Sequence, residues 1–487
     1  MRLLFYLLLA WGLAATSTNS TQARALLLAN EQAQNTLTVV PPAALSNIQR
    51  LLLDTVASAG LRSLQWYNQR ATRAFYTQRH YAPAWSAGQQ LNEAGEVALA
   101  LLRKAEDYGL QADNYHMPAL QALTKALAQP ADSARARAQS ARLDVLLTDG
   151  LLRFVLHLRR GQLRELTPSP LEEADSAFVP AAWVANALAG PDFAAELLRC
   201  QPQQREYQEL QQALVRWRKR PTKPQDSVRI RRAQQLALTL ERWRWQAIPD
   251  TNYVLVNLPA YALEVVERDS VLQTHRLVIG KPESPTPTLS SRLKVFTLTP
   301  EWRVPYSIAT EEILPKLRDN PRYAARHNYS IYNAKGELID PKKVDWWDVR
   351  KKKFNYTIRQ NPGPGNALGS VIFRFRNPYE VFLHATYDTR DFKRPYRALG
   401  HGCMRMENPM SLVSYLMRDD SVQTKLPTEA ELAAAPVPRR ITLERAMPLH
   451  VRYATCAVVA GQLRFYADVY NKDEELRQQL FGSLKAF

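Results

Sequence analysis

A chain of 487 residues exceeds what one ordinary hydrophobic core organises, so more than one domain is expected. Its 64 Lys and Arg against 46 Asp and Glu give a formal charge of +18 and point to a polyanionic neighbour, yet no zinc-finger, RNP or Gly-rich phosphate motif accompanies them, which sets nucleic acid aside. The three cysteines, Cys200, Cys403 and Cys456, are an odd and sparse set that leaves at least one thiol free in an oxidising compartment.

Residues 1–23 read as an export signal. Arg2 supplies the positive start, Leu3 to Ala15 form an apolar run, and Thr16-Ser17-Thr18-Asn19-Ser20 follow as small and polar residues. The run is shorter than the roughly 20 residues a membrane span needs, which favours a cleaved secretory signal. Membrane attachment through an uncleaved N-terminus is the alternative. In an exported protein, basic charge is better matched to peptidoglycan and anionic envelope polymers than to nucleic acid.

Residues 43–235 carry helical periodicity. Leu45, Ile48, Leu51, Leu52 and Val56 fall on one face, and Leu91–Leu102, Leu120–Leu127 and Leu143–Leu158 repeat the pattern between Pro83, Gly109, Pro118, Pro130 and Gly161. The aromatic stretch from Phe75 to Trp85 is expected to plug a helix corner. A basic, Pro-containing linker, Lys219 to Asp226, precedes a helix ending in Glu241-Arg-Trp-Arg-Trp245.

From residue 236 the period changes to that of strands. Tyr253–Asn257, Tyr261–Val266 and Leu277–Gly280 alternate and are rich in β-branched residues. Residues 309–358 interrupt them with a short helix, Ala309 to Leu317, and a run of aromatics and cations; an insertion of this length between strands suits a lid. A Gly- and Pro-rich turn, Gln360 to Gly369, follows. Pro409 to Met417 reads as a helix with Asn408 placed to cap it, residues 427–438 as an exposed loop, and Met447–Tyr453 and Gln462–Tyr470 as returning strands. His450 is expected to be structural and Cys456 buried. The catalytic part ends near residue 475, and a closing helix from Asp473 continues into 476–487.

The chemistry concentrates in residues 381–408. His384 ends an apolar run, Tyr379 to Leu383, that reads as a strand, and Cys403 follows the tight Gly400-His401-Gly402 turn. Glycines let the backbone approach a ligand with its N–H groups turned toward it. A thiol needs a neighbouring base to act as a nucleophile at neutral pH. Of the two histidines near it in sequence, His384 at a strand end is the better fixed partner.

His384, a spacer over residues 385–399, and then Gly400-His401-Gly402-Cys403-Met404-Arg405 resemble the signature of the L,D-transpeptidases, cell-wall enzymes with His, a spacer of this length and Ser/Thr-His-Gly-Cys-x-Arg. Gly400 departs from it, standing where the family has a hydroxyl residue. Gly280-Lys-Pro, Thr286-Pro-Thr288, Thr299-Pro-Glu-Trp302 and Gln360–Gly369 match loop strings of the same family. The resemblance implies an α+β chain: an all-helical scaffold domain, then a β-rich, sandwich-like catalytic domain over 236–475 with a capping subdomain inserted at 309–358. The peptidoglycan-binding module of larger members is absent, the stretch from Tyr207 to Glu241 being too short to hold one.

What the resemblance implies for the site is a Cys403 nucleophile, a His384 base oriented by the Ala385 carbonyl, and oxyanion donors at Gly402 and Cys403. Arg405, His401, Gly400, Asn366 and Tyr387 become substrate-side residues. The expected reaction passes through a thioester to 3→3 cross-links between peptidoglycan tetrapeptide stems in the periplasm, with carbapenems as covalent inhibitors. Neither metal nor cofactor is called for. The same scaffold could serve as an L,D-carboxypeptidase, an endopeptidase or a protein-to-peptidoglycan attachment enzyme. A non-catalytic wall-binding protein is the reading from another class, and an intact His384 and Cys403 pair speaks against it.

Overall fold

The computed structural model describes residues 46–53, 66–129, 132–163, 178–220, 226–418 and 426–482. The expected signal, residues 1–23, lies outside them, as do 221–225 of the linker and 483–487 of the closing segment. Among the described residues no helix is long and apolar enough to cross a membrane.

Helices α1 (Asn47–Leu53), α2 (Gln69–Gln78), α3 (Glu93–Arg103) and α4 (Met117–Leu127) pack around α5 (Ser133–Arg160), which is 28 residues long. The helix begins well before the apolar period at Leu143, because its first turns are Ala and Arg, good helix formers that carry no stripe. Asp132 caps it, its carboxylate accepting from the Ala134 and Arg135 N–H groups at 2.8 Å. The aromatic stretch docks on buried polar groups of α5: the Trp85 indole N–H donates to Thr148 at 2.7 Å, and the Ala84 and Trp85 N–H groups donate to Asp144 at 2.9 Å. A buried carboxylate is tolerable only when its lone pairs are taken in this way.

Helices α6 (Pro180–Ala189), α7 (Phe193–Leu198) and α8 (Arg205–Arg218) lead to α9 (Ser227–Trp245). The expected domain boundary at 235/236 falls inside α9. Leu236, Leu240 and Trp243 of that helix, with Tyr207, Leu210 and Leu214 of α8, share one core with Tyr253, Leu255 and Val266 of the sheet. Its buried Glu241 pairs with Arg244 at 3.2 Å and accepts from the Leu163 N–H at 2.7 Å. The helical and β-rich halves are therefore joined by packing as well as by the chain.

The sheet is built from β1 (Asn252–Asn257), β2 (Ala262–Glu267), β3 (Ser270–Gly280) and β4 (Leu289–Leu298), then, past the insertion, further strands. The insertion has its own four-stranded sheet of β5 (Trp302–Arg303), β6 (Tyr329–Tyr332), β7 (Leu338–Ile339) and β8 (Thr357–Gln360). Ile313, Leu317, Ile331, Trp346 and Phe354 form a separate core there. Trp346 and Phe354 are thus spent on the insertion's own packing, whereas Trp347 stays 70% exposed. The expected helix at 309–317 is part of a longer run, 306–319, with a π-turn at Ala309–Ile313.

The main sheet resumes with β9 (Val371–Arg374), β10 (Leu383–His384), β11 (Ala398–Gly400), β12 (Met404–Met406) and β13 (Arg439–Arg452). Its nine-stranded order is β11-β3-β12-β10-β9-β4-β13-β1-β2, and β2 pairs again with β3. The pairings close eight strands into a ring, with β11 attached outside it, so the expected sandwich is joined at both edges. Alternate residues from every strand of the ring, among them Val254, Leu263, Ile279, Phe296, Phe373, Leu383, Met404 and Val451, fill its interior.

Local expectations also fail, among them the strand over Gln462–Tyr470, which ends at Phe465. Residues 427–438 are not wholly loop: Thr428 and Glu431 make a capping box that starts α11 (Glu429–Ala434). Asn408 does not cap α10 (Pro409–Leu416) with its side chain; it sits at φ 52°, and Pro409 provides the helical start. Strands β14 (Cys456–Val459) and β15 (Gln462–Phe465) and helix α12 (Asp473–Phe481) complete the described chain. His450 is buried in β13, 3.0 Å from Asp250.

Candidate active site

The strand expected over Tyr379–Leu383 is only Leu383–His384. Asn377 bends the chain ahead of it, accepting from the Tyr379 and Val381 N–H groups at 3.1 Å, and Glu380 takes φ 55°. Val381 and Phe382 line a cavity.

Strand β10 lies parallel to β12, with Leu383 opposite Met404 and His384 opposite Arg405. Cys403 immediately precedes β12, so the register sets it against Phe382. The Met404 N–H donates to the Phe382 carbonyl at 3.0 Å. Because side chains alternate, Phe382, His384, Cys403 and Arg405 share one face of this strand pair, while Leu383, Met404 and Met406 point into the ring.

His384 is 6% exposed, and its Nδ1 lies 2.6 Å from the Ala385 carbonyl. A carbonyl only accepts, so Nδ1 carries the proton and Nε2 is left as the basic nitrogen. Ala385 is itself held, its N–H donating to the Val371 carbonyl at 2.8 Å. Burial and the Arg405 charge push the imidazole down to about 3, against the pull of the Ala385 carbonyl. Burial pushes the Cys403 thiol up, and a Phe382 backbone hydrogen bond and the Arg374 charge oppose it. Both groups are therefore neutral at rest, and the proton must move during attack.

That arrangement predicts a pH profile. With His384 neutral down to about 3, acylation of Cys403 by a carbapenem should hold its rate as pH falls from about 7 to about 5 and rise only as the thiol ionises at alkaline pH. An imidazole of ordinary pKa, about 6.5, would lose more than about tenfold over the same acid interval. Such a loss in the measured profile would overturn the neutral-base assignment.

The remaining residues divide. The Arg405 guanidinium lies beside His384 and 3.4 Å from Asp391, which orders the turn. Gly402 has φ +107°, a conformation open to glycine. The Gly400 carbonyl takes the Lys281 N–H at 2.9 Å and stays within the fold. His401, 44% exposed on its side chain, turns to Glu312 of the insertion at 2.9 Å and so bridges the two subdomains. Asn366 is no substrate residue either: it is 2% exposed, donates to the carbonyls of Pro300, Gln360 and Asn361 and accepts from the Leu368 N–H, leaving no polar atom over. The Tyr387 hydroxyl is buried without a hydrogen-bond partner among the described residues.

A cavity of about 810 Å³ runs between the insertion and the β9–β10 connection, lined by Trp302, Tyr306, Tyr356, Arg374, Arg376 and Phe382. It reaches the ring of Phe382, which meets His384 edge to face at 5.6 Å. Sequence reasoning missed Arg374, Phe382, Glu312 and Thr286 as site residues: Thr286 stands in the Thr286-Pro-Thr288 string and Phe382 in the apolar run before His384, while Arg374 and Glu312 bear no local mark of their place. Cys200 and Cys456 are buried, and burial pushes both thiols up to about 12; Cys403 is the more accessible of the three.

Comparison with known proteins agrees with this picture. Residues 251–424 match the L,D-transpeptidase catalytic domain and residues 70–214 the Scaffold domain. A Haemophilus influenzae protein assigned provisionally as an L,D-transpeptidase is 29% identical over 248 residues, covering 50% of this chain and 49% of its own, so the chain spans about half the length of that relative. Among solved structures, an L,D-transpeptidase from Mycobacterium smegmatis aligns with TM-score 0.20 and 11% identity over 42% of this chain and 58% of its own. Mycobacterium tuberculosis L,D-transpeptidase 1 gives 0.16 and 12% over 42% and 63%. Overlaps of that extent fix no residue's role. Residues 251–424, which hold His384 and Cys403, thus match an L,D-transpeptidase catalytic domain, and a Scaffold domain precedes it.

Proposed function

We propose that this chain is an exported, periplasmic enzyme that cross-links peptidoglycan tetrapeptide stems by cysteine-dependent acyl transfer. The observation that carries the reading is the pairing of β10 with β12. It sets Cys403 on one face with an imidazole whose proton is fixed at Nδ1 by Ala385.

His384 Nε2 accepts the Cys403 proton as Sγ attacks the stem carbonyl next to the terminal D-Ala. The tetrahedral oxyanion is held by the Gly402 and Cys403 N–H groups, donors typically worth ~10²–10³ in rate each. The imidazolium returns its proton to the leaving amine, D-Ala departs, and a thioester remains. The side-chain amine of a diamino acid on a second stem then attacks the thioester carbonyl, its proton passes through His384 to the departing Cys403 sulfur as the C–S bond breaks, and a 3→3 link is left. The cavity beside Phe382 suits the stem: Arg303, Arg374 and Arg376 outnumber Glu380 along it, and stem peptides carry free carboxylates. A carbapenem would acylate the same sulfur, its lactam C–N bond opening in place of the peptide bond.

Incubation of the full chain with disaccharide-tetrapeptide, followed by mass analysis, tests the proposal. Cross-linked dimer is the expected product. Tripeptide alone would reassign the chain as an L,D-carboxypeptidase, and no product together with no carbapenem adduct would leave a wall-binding protein.

A further inference from the structure

The Thr286 side chain is 1% exposed, and its hydroxyl touches no reacting atom, yet it holds the nucleophile's loop. Its Oγ1 accepts from the Gly280 N–H at 2.9 Å and donates to the Gly402 carbonyl at 2.7 Å. The Thr286 N–H donates to the Tyr470 hydroxyl at 3.2 Å, which in turn donates to the Gly280 carbonyl at 2.7 Å. Tyr470 is fixed through its own N–H, which donates to the Tyr453 hydroxyl at 2.8 Å. A closed set of hydrogen bonds thus ties the Gly402 peptide to the loop after β3.

A trans peptide group is planar, so fixing the direction of the Gly402 carbonyl fixes the opposite direction of the Cys403 N–H. We infer that Thr286 is a positioning residue that aims the Cys403 N–H at the developing oxyanion, with Tyr470 as its support. The inference rests on the acyl-transfer reading above. The approach of the two loops depends on Gly280: a Cβ there would stand 2.2 Å from the Ser284 carbonyl and 2.9 Å from the Gly402 nitrogen. The loop after β3 supplies two hydroxyls to this turn, Thr286 to the Gly402 carbonyl at 2.7 Å and Ser284 to the Gly400 carbonyl at 3.4 Å.

The test compares two reactions of the same sulfur in the full chain. Carbapenem acylation builds an oxyanion; alkylation by iodoacetamide, a displacement at a saturated carbon, does not. Thr286→Val, close in shape but without the hydroxyl, should lower the acylation rate constant by ~10²-fold at unchanged non-covalent binding, as expected for a contact made in the transition state. Its alkylation rate should stay within about threefold, and Thr286→Ser should restore acylation to within about fivefold of the parent. Equal losses in the two reactions, or no loss of acylation, would overturn the assignment. If Thr286→Val does not fold, Tyr470→Phe makes the same comparison: a drop of about tenfold confined to acylation is expected, and an equal drop in both reactions overturns it. A parent chain that alkylates but is never acylated would instead overturn the transpeptidase reading, and this inference with it.

Discussion

Cys403→Ala should fold normally and lose all turnover and all covalent labelling by a carbapenem. In the proposed mechanism the sulfur is the atom that forms the thioester, so its removal leaves no covalent path. The structural cost is small because Cys403 lies at the margin of the ring's core, where losing one partly buried atom opens little cavity. Neither other thiol can substitute. Cys200 is 1% and Cys456 0% exposed, and Cys456 is held 3.2 Å from the Thr239 hydroxyl. Intact-mass measurement after carbapenem incubation decides the matter. An adduct that persists in the variant, or that maps to Cys200 or Cys456, would refute the nucleophile.

The second large effect belongs to His384. Changing it to Gln preserves a donor for the Ala385 carbonyl but removes the basic nitrogen, so acylation should slow by ~10²–10⁴-fold while non-covalent affinity changes little. His401→Ala should be mild by comparison, because that imidazole is half exposed and engaged with Glu312 across the subdomain boundary. Exposed pairs of this kind contribute roughly 0–1 kcal/mol. Stopped-flow acylation rates of the two variants give the comparison directly; the opposite ranking would transfer the role of base to His401.

The candidate site was legible because its motif is local. Cys403, His401 and the glycines around them fall in one short turn, and His384 sits at a strand end whose partner follows within the same stretch of chain. The helical half was legible from its apolar period, except where Ala and Arg replaced it at the start of α5. What the sequence hid was set by pairing over long distances. Nothing near Tyr379 announces that Asn377 will fold the chain back on itself and cut the strand to two residues. Nothing near Glu312 announces His401. Asn366 is a substrate-side residue by the family resemblance alone, and its acceptors, Pro300 among them, are visible only once the chain is folded around it. Thr286 lay in plain view, but its importance depends on Gly402, which reaches it only through the ring.

The order in which the ring is made has a consequence for when the enzyme can work. Strand β13 is the stave between β4 and β1, antiparallel to one and parallel to the other, and it is synthesised after every strand it joins. Contacts of such sequence separation form slowly because the loop between them must be closed first. A nascent chain that already carries Cys403 and His384 still lacks the stave that closes the ring, and it lacks Tyr470, which braces the nucleophile's loop. On the proposed reading, the thiol precedes in the chain the parts that would make it a catalyst, since the ring is closed by Arg439–Arg452 and the turn is braced by Tyr470.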